Sequence, residues 1–305
     1  MIVKEREPSN QLEMLQILDR RGDLLNPQTN TIRNRVKGFE GECQFDELLK
    51  KLKCECLIVN DLTLKISGQT CQIDSLLITS KGVILYEVKN YEGQFVCTED
   101  KLKVLSTNKE ISNPVHQLNR TTNLFRQLME EQQANFTLQS YIVFINEAFT
   151  LYNAPVDSPF ILPTMLDYHM KKLTNERRAL NKSHYTFAET LKQLNQTDLS
   201  FYSFPQYDWA GLEKGAFCKV CQSELGKPIG RICECSQCGF KEVTTDVIKR
   251  QINEYLLLFP EKKLTTNEVC DWIGKLFSKK SIRSVLKKNF ELKGNYKGRY
   301  YEKKT

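Results

Sequence analysis

Two strand-like runs, at residues 70–79 and 83–89, are separated only by the short turn Ser80-Lys81-Gly82. Two such runs with a turn of this length between them predict an antiparallel β-hairpin. The second run is almost entirely apolar, which is typical of a buried strand. The hairpin is therefore expected to lie in the sheet of the first domain, next to the other predicted strands and helices.

Helical patterns precede and follow the hairpin. An apolar face with spacing i, i+3, i+4 and i+7 is formed by Phe45, Leu48, Leu49 and Leu52. A second helix is predicted to begin after Asn113-Pro114 and to run to about residue 133. Further strand-like runs occupy residues 56–60, 62–66 and 141–145.

This order of elements predicts an α/β fold in which a mixed sheet is flanked by helices. The domain is expected to span residues 35–205, with its core at 35–150, after an N-terminal helical extension at residues 1–34. No segment approaches the roughly 18 consecutive apolar residues of a membrane span. The first residues also lack the apolar run of a secretory signal, so a membrane-embedded or secreted protein is not expected.

Charged residues interrupt the hairpin where apolar ones would be expected. Glu87 and Lys89 are two residues apart and therefore share one face of their strand. Counting outward from the turn places Asp74 roughly opposite Val88 and Lys89. Two neighbouring carboxylates repel each other unless a cation or a proton lies between them, and Mg²⁺ favours oxygen ligands. The alternative is an ion pair on the solvated face of an edge strand.

Glu42 lies in line with the apolar face of its helix, three residues before Phe45, so it is predicted to point toward the sheet. The alternative is an acidic residue in a first helical turn, where it would interact favourably with the helix dipole by about 0.3–1 kcal/mol. The histidines His116, His169 and His184 have no spacing typical of a catalytic triad or a metal site.

Several of these segments together resemble the nuclease-related domain (NERD) of the PD-(D/E)XK nuclease superfamily. They are Gly41-Glu42, Gln72-Ile73-Asp74, the segment from Glu87 to Gly93, and Asn113-Pro114-Val115-His116-Gln117. The resemblance covers about residues 35–150 and implies a restriction-endonuclease-like fold. It implies that Asp74 and Glu87 hold Mg²⁺ or Mn²⁺.

The resemblance also implies roles for the neighbouring residues. Lys89 would orient the attacking water or offset charge in the transition state, Glu42 would support the metal, and Gln117 would complete the pocket. Thr121 stands where the recombination-nuclease branch of the superfamily has the tyrosine of a Gln-x-x-x-Tyr pair.

Five of the eleven cysteines lie within 21 positions, and four of these form two Cys-x2-Cys pairs: Cys218, Cys221, Cys235 and Cys238. Two such pairs are typical of a tetrahedral structural zinc site, here a zinc ribbon at residues 213–241. Cys233 leaves a shifted ligand set open. The scattered cysteines are interpreted as small buried residues rather than disulfides, which favours a reducing cytoplasm.

The positive charge of the chain is concentrated at its end. Residues 245–305 contain 15 Lys and Arg against 7 Asp and Glu, whereas the whole chain has a net charge of +7. Helices are predicted at residues 247–259, 265–273 and 278–288, followed by a β-hairpin at 290–301. This order resembles a winged helix-turn-helix, with a third helix that enters a DNA groove.

The predicted DNA-contacting residues of this 245–305 module are Lys279, Lys280, Arg283, Lys287, Lys288, Lys297 and Arg299. A solvated lysine-rich surface and a protein-binding surface remain alternatives. The whole chain is thus interpreted as a cytoplasmic, Mg²⁺- or Mn²⁺-dependent deoxyribonuclease with a structural zinc. The alternative is a catalytically inactive DNA-binding or scaffold protein that retains the nuclease fold. A homo-oligomer or a protein partner is left open.

Overall fold

The structure, a computed structural model, describes residues 1–6, 10–22, 29–98, 100–175, 178–196, 207–295 and 298–303. Its strands are β1 (Ile2–Lys4), β2 (Leu57–Ile66), β3 (Gln69–Thr79), β4 (Gly82–Lys89), β5 (Gly93–Cys97), β6 (Lys101–Val104), β7 (Glu110–Ser112), β8 (Leu138–Phe144), β9 (Phe149–Tyr152), β10 (Phe160–Ile161), β11 (Ile232–Glu234), β12 (Lys241–Val243), β13 (Phe290–Lys293) and β14 (Tyr300–Lys303). Its helices are α1 (Asn10–Arg21), α2 (Thr29–Lys50), α3 (Pro114–Glu131), α4 (Leu166–Thr174), α5 (Lys182–Leu194), α6 (Thr244–Leu258), α7 (Thr266–Trp272) and α8 (Lys279–Asn289), with a 3₁₀ turn at Pro163–Met165.

The largest sheet has the strand order β1-β2-β3-β4-β8-β10. Strands β2, β3 and β4 are antiparallel neighbours, whereas β1, β8 and β10 each pair in parallel. The predicted hairpin is therefore formed by β3 and β4, at the centre of a mixed sheet.

Helices cover both faces of this sheet. Successive residues of β4 alternate between two apolar clusters, as the pleat of a strand requires. On one face, α3 and α5 contribute Phe125 and Phe187 to the first cluster. On the other face, α2 and α4 contribute Phe45 and Leu173 to the second cluster. The prediction of a mixed sheet flanked by helices is confirmed.

Two details of the sheets differ from the sequence prediction. The runs at 56–60 and 62–66 form one continuous strand, β2, because Asp61 adopts a left-handed conformation (φ 52°) without ending the pairing with β3. A second sheet of four short strands, with the order β7-β6-β5-β9, was not predicted. Its strands of three to five residues are too short to show a clear apolar period.

The alternation of faces shifts by one residue in the middle of β2 and β3. Ile73 and Leu76 are three residues apart, yet both lie in the same apolar cluster. Val59 and Leu62 of β2 show the same shift around Asp61. The shift in β3 falls next to Asp74, so the irregular part of the hairpin is also the part that carries the carboxylate.

The chain divides into two compact units: one comprises Met1–Glu7 and Asn34–Ser203, the other Pro8–Arg33 and Phe204–Thr305. The first unit contains both sheets described above. The second contains α1 together with the cysteine-rich segment and the basic segment. This division of the chain into two units differs from the four segments predicted from the sequence, at residues 1–34, 35–205, 213–241 and 245–305. Those four domain boundaries stay a prediction.

A buried arginine connects the parts of the second unit. The side chain of Arg21, at the end of α1, is 0% exposed and lies over the ring of Trp272, 3.9 Å from its centroid. It donates hydrogen bonds to Glu254 and Gln251 of α6 and to the main-chain oxygen of Gly215. Burial lowers the pKa of Arg21 to about 10, although Glu254 opposes this change.

The basic segment contains the helices and the hairpin that were expected. Helices α6, α7 and α8 follow one another, and β13 and β14 then pair in an antiparallel ribbon, from Phe290–Lys303 to Lys293–Tyr300. Ser278 caps α8, since its side chain accepts a hydrogen bond from the Ser281 amide.

Candidate active site

The carboxylates of the hairpin lie just beyond the end of the β3–β4 ladder. The last pair of that ladder is Ser75–Tyr86, so Asp74 and Glu87 are the next residues along the two strands. The register of this ladder differs by one residue from the register counted from the sequence, because the ladder begins at the pair Thr79–Gly82 with only Ser80 and Lys81 between them. The Val88 amide donates to Asp74 Oδ2 at 2.7 Å, which joins the carboxylate to the neighbouring strand.

Glu87 is 2% exposed and only half of its carboxylate is satisfied. Lys89 Nζ donates to Glu87 Oε1 at 2.6 Å. Glu87 Oε2 is buried and has no hydrogen-bond partner among the described residues. A buried carboxylate oxygen without a donor is unfavourable by about 1–3 kcal/mol or more. The site therefore fits a bound cation on chemical grounds.

Lys89 also contacts Gln117, which lies in the first turn of α3. Lys89 Nζ is 3.2 Å from Gln117 Oε1. Helix α3 begins as the sequence predicts, because Asn113 Oδ1 accepts from the Val115 amide at 3.1 Å and Pro114 occupies the first turn. The cap of α3 thus places an amide group next to the ammonium group.

The electrostatics of the three acidic residues show that they influence one another. Burial raises the pKa of Glu87 to about 7, with Asp74 adding to the effect and Lys89 opposing it. Burial also raises the pKa of Asp74, opposed by Lys89, the Val88 amide and Arg6. The pKa of Glu42 is raised to about 8 by burial and then by Asp74, with Arg6 opposing. Bringing these carboxylates together without a cation is unfavourable.

Glu42 is held by an arginine that the sequence analysis did not identify. Helix α2 closely approaches the residue that follows β4, because a Cβ added at Gly41 would lie 2.5 Å from Asn90 Cβ. The next residue, Glu42, accepts a hydrogen bond from Arg6 Nη1 at 2.5 Å. Arg6 Nε donates to Asp46 Oδ2 at 2.8 Å, so one guanidinium group binds two carboxylates.

Arg6 could not be found from sequence because it stands alone in a short segment, 36 residues from Glu42 and 68 from Asp74. Asp46 lies next to Phe45 and is buried, and the Ser75 hydroxyl donates to it at 3.0 Å. Among the described residues, Glu42, Asp74 and Glu87 do not bring one oxygen each within 4.8 Å of the other two. The three carboxylates therefore do not form one compact set of ligands, although Asp74 is close enough to raise the pKa of Glu42.

The sulfur atoms of Cys218, Cys221, Cys235 and Cys238 all lie within 4.8 Å of one another. The pairs Cys218–Cys238 and Cys221–Cys235 are 3.7 Å and 3.4 Å apart. Zn–S bonds of about 2.3 Å in a tetrahedron require S–S separations of about 3.8 Å, so the cluster has the size of a zinc site with four cysteine ligands.

Each Cys-x2-Cys pair is followed by a residue in the left-handed conformation, Gln222 (φ 64°) or Gly239 (φ 72°). The two loops therefore repeat the same turn, although only the second has a glycine. Cys233 is outside the cluster; it lies on β11, and its Sγ is 3.7 Å from Thr244 Oγ1.

Helix α8 presents a basic face opposite its apolar one. Ile282, Val285 and Leu286 are buried. The predicted DNA-contacting residues of this helix are all exposed: Lys279, Lys280, Arg283, Lys287 and Lys288. Arg299, beside β14, is also exposed, whereas Lys297 lies outside the described residues.

The histidines have structural partners. His169 Nε2 is 2.8 Å from the Tyr86 hydroxyl, and burial lowers the pKa of His169 to about 4. His184 completes a capping box with Asn181 at the start of α5. His116 is exposed and 3.9 Å from Asp100 Oδ1.

Comparison with known proteins identifies a domain in this part of the chain. Residues 37–145 match the family model described as the nuclease-related domain, NERD. The chain therefore contains a nuclease-related domain, which includes all five predicted catalytic residues: Glu42, Asp74, Glu87, Lys89 and Gln117.

A relative is the uncharacterized Bacillus anthracis protein pXO1-01, which is 29% identical over 118 residues. The alignment covers 36% of this chain and 56% of the relative, so the chain spans little more than half of that protein. No solved structure matches the chain. Within the described ranges, no helix has the length and apolar character needed to cross a membrane.

Proposed function

We propose that this chain is a metal-dependent nuclease that cleaves phosphodiester bonds of DNA at a PD-(D/E)XK-type site. Asp74 and Glu87 would hold Mg²⁺ or Mn²⁺. The observation that carries the proposal is Glu87 Oε2, a buried carboxylate oxygen without a hydrogen-bond donor among the described residues, next to Asp74 and Lys89. The matched family supports a nuclease-related function for this region.

The side chains would divide the chemistry of phosphodiester hydrolysis among them. A bound divalent ion supplies Lewis-acid stabilisation of phosphoryl charge and lowers the pKa of water. Lys89 carries a positive charge that offsets negative charge developing on the phosphate, or orients the attacking water. Gln117 restricts the position of Lys89 Nζ through their 3.2 Å contact.

The test is cleavage of plasmid DNA by the zinc-loaded chain with Mg²⁺ or Mn²⁺, with a parallel RNA substrate. Asp74→Asn and Glu87→Gln should abolish cleavage and retain the fold. Glu47→Gln is a matched control, because Glu47 is an exposed carboxylate on α2 that pairs with Lys50. Cleavage that persists in Asp74→Asn would overturn the proposal. DNA binding that weakens with salt but never leads to cleavage would indicate the inactive DNA-binding protein instead.

We also propose that the four clustered cysteines hold one structural Zn²⁺. Four thiolates fill a tetrahedral shell and leave no open position, so the ion would contribute to folding rather than to catalysis. Native mass spectrometry should show one zinc per chain, retained in Cys233→Ser and lost in Cys221→Ser. A folded wild-type protein without zinc would contradict this.

We further propose that α8 and the β13–β14 hairpin bind DNA. Exposed lysines and arginines on a helix that follows two others suit contacts with phosphates and a groove. Replacing Arg283 and Lys287 with alanine should weaken DNA binding and reduce the slope of log affinity against log salt by about one for each phosphate that is no longer bound. Lys192→Ala, an exposed lysine on α5, is the charge-matched control. Equal salt slopes in all variants would contradict the assignment.

A further inference from the structure

The guanidinium group of Arg6 lies in a cage made of oxygen atoms. It contacts Glu42 Oε2 at 2.5 Å, Asp46 Oδ2 at 2.8 Å and Asp46 Oδ1 at 3.3 Å. It also contacts the main-chain oxygen of Asp74 at 2.5 Å and Ser75 Oγ at 3.4 Å. The Arg6 side chain is 3% exposed, so the cage is closed around it.

This cage has the composition of a hard-cation site. Carboxylate, carbonyl and hydroxyl oxygens are the donors that divalent ions such as Mg²⁺ prefer. The cage shares Asp74 with the Asp74–Glu87 pair, since Arg6 binds the main-chain oxygen of the residue whose side chain accepts from Val88. The arginine thus occupies a position adjacent to the proposed metal site where a second cation would otherwise fit.

The charges of the Arg6 cage and of the adjoining Asp74–Glu87 pair indicate that one divalent ion is bound. When ionised, the four carboxylates of Glu42, Asp46, Asp74 and Glu87 face two cationic side chains, Arg6 and Lys89. Two negative charges remain, which one divalent ion neutralises. The nearby Asp61 does not alter this balance, because it is paired with Lys4 at 4.0 Å.

On the basis of the nuclease function proposed above, we propose that the Arg6 guanidinium takes the place of a second metal ion. The active site then binds one divalent ion, at Asp74 and Glu87, and Glu42 is the partner of Arg6 rather than a metal ligand. This differs from the role for Glu42 that the family resemblance implies. In two-metal nucleases a second ion stabilises charge at the reacting phosphate; here a guanidinium group bound to Glu42, Asp46 and the main chain of Asp74 fills the place of that ion.

Arg6 is in this account a positioning residue. It holds Glu42 of α2 and Asp46 of the same helix against the main chain of β3 at Asp74. An arginine that only stabilised the fold would make the same contacts. The number of metal ions bound distinguishes such an arginine from one that takes the place of a second ion. Removal of a structural arginine weakens metal binding, whereas removal of a resident cation opens a place for another ion.

The experiment is a Mn²⁺ titration of the full, zinc-loaded chain, in which electron paramagnetic resonance measures free Mn²⁺ and hence the number bound. The wild type should bind one Mn²⁺, and Asp74→Asn should bind none. Arg6→Ala should bind two, whereas the conservative variant Arg6→Lys should still bind one. Glu42→Gln should also bind one, with cleavage measured in parallel for every protein.

The outcomes separate this inference from the nuclease proposal. Two ions in the wild type, falling to one in Glu42→Gln, would overturn the inference while leaving the nuclease proposal intact. A single ion in folded Arg6→Ala would also overturn it. No Mn²⁺ binding and no cleavage by the wild type would remove both. Far-UV circular dichroism checks the fold of Arg6→Ala, and if that variant does not fold, the wild type and Glu42→Gln decide between one ion and two.

Discussion

Glu87 contributes to the pH dependence of the stability of the metal-free first unit, and Glu87→Gln should remove that contribution. Burial and Asp74 raise the pKa of Glu87 from its ordinary value of 4.5 to about 7. Between these values the folded state binds a proton that the unfolded chain releases, so stability falls as the pH rises through this window. The change in pKa corresponds to about 3 kcal/mol, lost in full above about pH 7. Glutamine cannot ionise and avoids this loss.

The assay is urea unfolding between about pH 5 and about pH 8.5, followed by far-UV circular dichroism, with zinc retained and Mg²⁺ and Mn²⁺ removed by dialysis. The free energy of unfolding of the wild type should fall by about 3 kcal/mol more than that of Glu87→Gln across this range. The chain's two tryptophans, Trp209 and Trp272, lie in the second unit, so tryptophan fluorescence follows that unit separately and should not differ between the proteins.

Glu47→Gln is the control, because Glu47 is an exposed carboxylate that pairs with Lys50 at 2.7 Å. Its pH profile should follow that of the wild type. Parallel profiles for the wild type and Glu87→Gln would refute the reasoning, since they would mean that Glu87 ionises as readily in the folded protein as in the unfolded chain.

Three further substitutions test the packing around the two units. Gly41→Ala should destabilise the first unit by about 1–3 kcal/mol in urea unfolding, because the added Cβ would clash with Asn90. Gly38→Ala in the same helix is the control: its added Cβ has no atom within 4 Å, so it should stabilise the unit by up to about 1 kcal/mol. Equal effects of the two substitutions would contradict the close approach at Gly41. Arg21→Met should destabilise the second unit by about 3–5 kcal/mol, measured by tryptophan fluorescence, because it breaks a buried ion pair; an unchanged midpoint would contradict this. Asn113→Ala should lower the stability of the first unit by about 1 kcal/mol through loss of the α3 cap, whereas Asn113→Ser should keep most of that stability because serine also caps helices. Equal urea midpoints for the two variants would count against the cap.

The features that sequence predicted best are those encoded locally. The β3–β4 hairpin follows from two strand-like runs and a short turn, and α3 follows from Asn113-Pro114 and an amphipathic pattern. The spacing of the two Cys-x2-Cys pairs likewise places four thiols together without knowledge of the fold. Each of these signals lies within a few residues of the structure that it specifies.

The features that sequence did not predict depend on contacts between distant segments. No pattern connects Arg6 with Asp46, because a single arginine has no period and its partners come from another element. The shift of faces beside Asp74 breaks the alternation on which the strand register was counted. The two-residue turn also shifts the register of the hairpin by one residue from the counted one. α1 showed no clear apolar pattern, so its association with α6 through Arg21 was not predicted either.

The most direct test of the account is a crystal structure of the zinc-loaded chain grown with Mn²⁺, with the ion located by anomalous scattering. We expect one Mn²⁺ in contact with the carboxylates of Asp74 and Glu87, including Glu87 Oε2, and Arg6 still bound to Glu42. A map with no Mn²⁺ at these oxygens, or with Glu87 Oε2 satisfied by a protein donor, would contradict the central claim that this pair of carboxylates is a metal site.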